Sequence, residues 1–109
     1  MSLLNDPVTI VWTDTEGKPR SLTVRRFSWR EILRLNRLIR REYPNGETPE
    51  TAFNLIAGVT VAAQQTQPDV TLDEVAGWFS FGDDGAVSAM TRILNIGTTG
   101  EEIPPLDEE

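Results

Sequence analysis

The 109 residues include 39% apolar side chains, enough for one modest core, and carry a net charge of −7 from 17 acids against 10 bases, the profile of a single globular domain. Cysteine and histidine are both absent. That excludes disulfides, thiolate and imidazole metal sites, cysteine nucleophiles and histidine acid–base chemistry, so any catalysis would fall to carboxylates, Lys, Tyr or Ser.

The opening Met-Ser-Leu-Leu-Asn-Asp-Pro has no basic stretch leading into an apolar one, and no apolar run approaches the roughly 20 residues that span a bilayer. A soluble, cytoplasmic protein is expected. Val8 to Thr13 is rich in β-branched and aromatic residues, and Arg20 to Phe27 alternates around Leu22 and Val24. The connector Asp14-Thr15-Glu16-Gly17-Lys18-Pro19 is turn-rich. Together they predict an antiparallel β-hairpin with one face packed on helices.

Ser28-Trp29-Arg30-Glu31 has the pattern of a capping box, in which Ser and Glu side chains satisfy opposite orphan donors at a helix start. The spacing of Ile32, Leu35, Leu38, Ile39 and Tyr43 predicts a helix over 29–42, ended by Tyr43-Pro44-Asn45-Gly46. A second helix is predicted from Thr48 as N-cap and Pro49 as first helical residue to about Gln65, with Phe53, Ile56, Ala57, Thr60, Val61 and Gln64 on one face. Its small residues Gly58, Ala62 and Ala63 would admit a close neighbour. The following 64–69 is the most linker-like stretch in the domain. Thr71-Leu72-Asp73-Glu74 is another capping box and predicts a short helix to about Phe79. A last helix is predicted over Ala86 to Ile96, N-capped from Asp83-Asp84 and stopped by Gly97. From Thr98 the chain turns to Gly, Thr, Pro and acid, which predicts a flexible acidic tail. The expected fold is therefore α+β, mainly α: an N-terminal hairpin on about four helices in one domain, 1–97, followed by a tail over 98–109.

Little in this pattern supports chemistry. Asp83 and Asp84 lack the ladder of oxygens and the closing Glu that a calcium loop needs, and the glycines match neither a P-loop nor a dinucleotide fingerprint. Ser28 and Ser80 have no histidine base. No catalytic residue, cofactor or metal is expected.

Charge distribution is the informative feature. Residues 17–41 hold nine of the ten bases against the single acid Glu31, while residues 51–109 hold the one base Arg92 against ten acids. Arg30, Arg34, Arg37 and Arg41, spaced four, three and four apart, form a stripe on the first helix, with Arg25 and Arg26 just before it. Such a stripe is either a solvated face paired with acids of its own chain or a docking surface. The docking partner would be the acidic half of a second copy, an acidic protein, or nucleic acid. An acidic chain argues against nucleic acid. Trp12, Phe27 and Trp29 near the patch are read as core and hairpin-to-helix staple residues.

The order of parts resembles a known family. A hairpin of Val-Thr-Ile-Val-Trp and Leu-Thr-Val-Arg-Arg-Phe runs into the Ser-Trp-Arg-Glu helix start. A middle helix is followed by Pro68-Asp-Val-Thr-Leu-Asp-Glu-Val75, and a last helix closes on Ile93-Leu-Asn-Ile-Gly97. Over about residues 7–97 this resembles the tail assembly chaperones of long-tailed bacteriophages and prophages. The resemblance implies an oligomerising, non-enzymatic domain that binds tape measure and tail tube proteins and keeps them soluble until the tail polymerises. The candidate partner-binding residues are then Arg25, Arg26, Arg30, Arg34, Arg37 and Arg41, together with Trp78, Phe79 and Phe81. The alternative is a nucleic-acid-binding regulator using the Arg-rich first helix.

Overall fold

A computed structural model of the protein describes residues 7–80 and 82–99. Strands β1 (Val8–Thr13) and β2 (Pro19–Val24) pair antiparallel, with Val8 opposite Val24, Ile10 opposite Leu22 and Trp12 opposite Arg20. The period-two alternation puts Ile10, Trp12, Leu22 and Val24 on the buried face and leaves Thr9, Val11 and Thr23 outside. On that outer face the Thr9 and Thr23 hydroxyls meet at 2.9 Å. The second strand stops at Val24, short of Phe27, because the register would next set Arg25 against Pro7, which has no amide to continue the ladder.

Asp14 builds the turn. Its Oδ1 accepts the amides of Glu16 (2.9 Å) and Lys18 (3.0 Å), its Oδ2 accepts Arg20 Nε at 2.8 Å, and Gly17 supplies the φ of 81° that closes the loop. The Lys18 amide, with smaller help from the Glu16 amide and the Arg20 guanidinium, holds the Asp14 carboxyl below its ordinary 3.8 although burial acts the other way. A depressed folded value means that Asp14 stabilises the fold fully above the ordinary carboxylate range and that this contribution is lost as pH falls through the depressed value. In urea titrations, the gap between wild type and Asp14→Asn is therefore expected to be constant well above the ordinary carboxylate value of 3.8 and to narrow as pH falls below it. An equal gap at both ends contradicts the assignment.

Helix α1 (Trp29–Glu42) begins at the predicted capping box: Ser28 accepts the Glu31 amide and Glu31 accepts the Ser28 amide. Helix α2 (Thr51–Ala63) begins three residues after the expected N-cap Thr48. Tyr43 decides this: its hydroxyl accepts the Glu50 amide at 3.3 Å and its ring meets Phe53 edge-on at 5.5 Å, so the connection into α2 is fixed from α1. Every residue from Leu55 to Ala63 is buried, so beyond its first turn α2 has no outward face and forms the middle of the domain. Gly58, Ala62 and Ala63, expected to admit a close neighbour, are part of that core, and Leu94 lies against Gly58.

Helix α3 (Leu72–Ala76) carries the second capping box, Thr71 with Glu74, and ends before Gly77, so Trp78 and Phe79 follow it rather than ride on it. Helix α4 (Asp84–Thr99) is N-capped by Asp83, whose Oδ1 accepts the Gly85 amide at 2.9 Å. It continues through Gly97, which is therefore a packing glycine and not a stop. The Phe27 ring lies on it, and the Phe27 amide donates to the Gly97 carbonyl at 2.7 Å. The predicted boundary at 97 thus falls inside a helix, and the predicted tail from 100 onward lies outside the described residues.

The architecture is α+β and mainly α, as the pattern predicts. The hairpin lies on α2 and α4, whereas among the described elements α1 packs on α2 alone.

Candidate protein-binding face

Helix α1 is the anomaly. It has a clear apolar stripe, yet none of its residues is fully buried. Ile32, Leu35 and Leu38 are half-buried against the core beside α2, and they leave a second row outside. At 100° per residue, Trp29, Leu33, Arg37 and Arg40 fall within about 80° of one another. Trp29 is 81% exposed and Leu33 55% exposed. The staple expected of Trp29 is not formed. Phe27 and Trp12 turn inward, whereas Trp29 stands in solvent four residues before Leu33 on the same row.

Arg25, Arg26, Arg30 and Arg41 lie beside this row, which itself carries Arg37 and Arg40, and all six are exposed. Ion pairs join Lys18 to Glu16 at 3.7 Å and Arg20 to Asp14 at 2.8 Å, and neither involves α1. The reading in which the stripe is neutralised by acids of its own chain has no support among the described residues. Arg34 departs from the predicted stripe: it is half-buried and donates through Nη1 to Gln64 Oε1 at 3.1 Å. Gln64 also donates to the Val70 carbonyl (3.0 Å). Gln65 pairs with the Arg25 backbone in both directions (3.1 and 2.9 Å) and reaches Glu31 Oε1 at 3.3 Å. The stretch that looks like a linker is the node fixing α1 and the hairpin exit to α2.

The predicted aromatic contributors sit elsewhere. Phe79 is buried, stacked on Trp12 with centroids 4.7 Å apart and planes 18° apart. Trp78 is half-buried, accepts Trp12 Nε1–H on its carbonyl at 3.2 Å, and lies beneath the Arg20 guanidinium, 4.9 Å from the ring centroid. Neither adjoins the α1 face, and Phe81 lies outside the described residues. Sequence reading missed the Trp29–Leu33 pair. Its signal was available, because these two residues share a helical row distinct from the Ile32, Leu35, Ile39 stripe.

Chemically the face can desolvate an apolar side chain at Trp29 and Leu33 while offering several guanidiniums to carboxylates or phosphates. Among the described residues no group of three or more acids is gathered to hold a metal, and no helix is long and apolar enough to cross a membrane. Comparison with protein-family models, with curated proteins and with solved structures finds no match for this chain.

Proposed function

We propose that this chain is a non-catalytic, oligomerising chaperone of the phage tail assembly kind, which uses the outer face of α1 to bind tape measure or tail tube proteins in the bacterial cytoplasm and keep them soluble. One observation carries the reading: an amphipathic helix held on one side only, whose outward row presents Trp29 and Leu33 inside a ring of arginines that no acid of the described chain neutralises. Exposed apolar anchors with a charged rim are the anatomy of a protein interface, and long coiled-coil clients offer acidic, apolar helix faces that would complement it. The exposed acids Asp69, Asp73, Glu74, Asp83 and Asp84 in the second half of the chain supply the complementary surface for head-to-tail contact between copies.

Sedimentation velocity tests the self-association. Wild type is expected above monomer mass at low salt and to shift towards monomer at high salt, because exposed charge pairs are screened. A monomer at every salt concentration removes head-to-tail assembly from the account.

The exposure of Trp29 among arginines also favours a second reading, nucleic-acid binding, since an aromatic interleaved with bases is a stacking platform. Fluorescence anisotropy with labelled single- and double-stranded oligonucleotides at low salt separates the two. The chaperone reading predicts no saturable rise, whereas tight, salt-sensitive binding abolished by Trp29→Ala would replace it.

A further inference from the structure

The hairpin exit, the start of α1 and the end of α4 enclose a groove of about 410 Å³, lined by Arg26, Phe27, Trp29, Ile32, Gly97 and Thr98. Its character is apolar, with Trp29 as an exposed wall. A second hollow, about 430 Å³, adjoins it, shares Arg26 and Phe27, and adds Arg25. The one acid on that side, Glu31, is already committed through Oε1 to the Ser28 amide and to Gln65 Nε2. The groove is thus an apolar slot whose rim carries the uncompensated guanidiniums of Arg25 and Arg26, with Arg30 on the next turn.

The groove opens where α4 ends. Thr98 lines it and Thr99 is the last residue of the helix. The chain that leaves this point reads Gly100-Glu-Glu-Ile103-Pro-Pro-Leu106-Asp-Glu-Glu109, with five acids, no base and two large apolar residues. Pro104 and Pro105 favour polyproline II backbone, which has three residues per turn and rises about 3.1 Å per residue. Ile103 and Leu106 stand three apart in the sequence, the period of that helix, with acids on either side. Segments of this kind bind aromatic-lined grooves at low entropic cost. At no more than about 3.6 Å per residue, a seven-residue tether brings Leu106 up to about 25 Å from Thr99, ample for a groove that Thr98 itself lines.

We propose that residues 101–107 dock in cis in this groove, with Ile103 and Leu106 against Phe27 and Trp29, and Glu101, Glu102 and Asp107 facing Arg25, Arg26 and Arg30. Tethering at Thr99 gives the segment an effective concentration of order mM, so a contact too weak to form between separate molecules is populated within one. The docked segment covers Trp29 and supplies the negative charge that this basic surface otherwise lacks. The docking stands on the groove and the segment alone. Its consequence, that client and segment exclude each other at Trp29, rests on the proposed function.

The absence of cysteine makes the test clean, because Glu108→Cys takes a single nitroxide label. Paramagnetic broadening of the Trp29 indole N–H and the Ile32 amide is read in the full chain, and read again after adding Ile103→Asp and Leu106→Asp. An unchanged thermal unfolding midpoint is the check that the double-Asp variant keeps its fold. The expected result is loss of more than half the Trp29 intensity, unchanged on dilution, with recovery in the double-Asp variant or at high salt. Equal broadening in both chains reports a tether without a dock and overturns the proposal, as does no broadening at Trp29. Broadening of isotope-labelled, spin-free chains mixed with labelled partners assigns the groove to a second copy and overturns docking in cis. No client enters this measurement, so its failure and that of the chaperone reading are separable.

Discussion

Gly97→Ala is expected to destabilise the protein by about 2 kcal/mol, although alanine is the better helix former by about 1 kcal/mol. A Cβ at this position would overlap Phe27 Cζ and stand 2.6 Å from both Cε1 and Cε2. The phenyl ring is buried, and its own amide is bonded to the Gly97 carbonyl at 2.7 Å, so neither ring nor backbone can withdraw without breaking the joint between the hairpin exit and α4. Gly58→Ala is the control. There the nearest obstacle is Cδ1 of Leu94, the far end of a half-buried and flexible side chain, and the propensity gain offsets most of the repacking, leaving a change within about 0.5 kcal/mol. Chemical denaturation of the two variants, and of Gly97→Ala in a Phe27→Leu background, reads the difference. The smaller side chain should recover most of the loss. A Gly97→Ala protein as stable as wild type would mean that α4 and Phe27 are not locked together as described.

The second large effect is on binding, with stability held constant. Trp29→Ala combined with Leu33→Ala removes two exposed side chains on which no core contact depends, so the unfolding free energy should move by no more than about 0.5 kcal/mol. Client affinity should fall by at least about 30-fold, the consequence of removing an aromatic anchor worth about 2 kcal/mol from the middle of an interface. Phe79→Ala gives the opposite outcome: its ring is stacked on Trp12 in the core, and its loss should cost about 3 kcal/mol of stability. Because α1 rests on α2 alone, its amides should also exchange with solvent at least about 100-fold faster than those of the buried α2, which hydrogen-exchange NMR measures directly.

Features governed by neighbours in the chain were legible in the sequence. The alternation of Ile10, Trp12, Leu22 and Val24 gave the hairpin, and the Ser28–Glu31 and Thr71–Glu74 boxes placed two helix starts to the residue. Features set by distant partners were not. The start of α2 depends on Tyr43 reaching Glu50, the passage of α4 through Gly97 depends on Phe27, and the roles of Gln64 and Gln65 depend on Arg25, Arg34 and Val70. Local turn chemistry suggested a cap, a stop and a linker at these places because side chains far along the chain supply what the local pattern lacks. The arginine half of the candidate site was visible as charge. The exposure of Trp29 was not visible, because aromatic side chains are usually buried and Trp29 is not.

The binding face of α1 is central here, and co-expression with a tape measure protein, the proposed client class, tests it most directly. The account predicts that wild type holds that protein in the soluble fraction and co-purifies with it, and that the equally stable Trp29→Ala, Leu33→Ala variant leaves it in the pellet. Equal solubilisation by both proteins, or by neither, would contradict it.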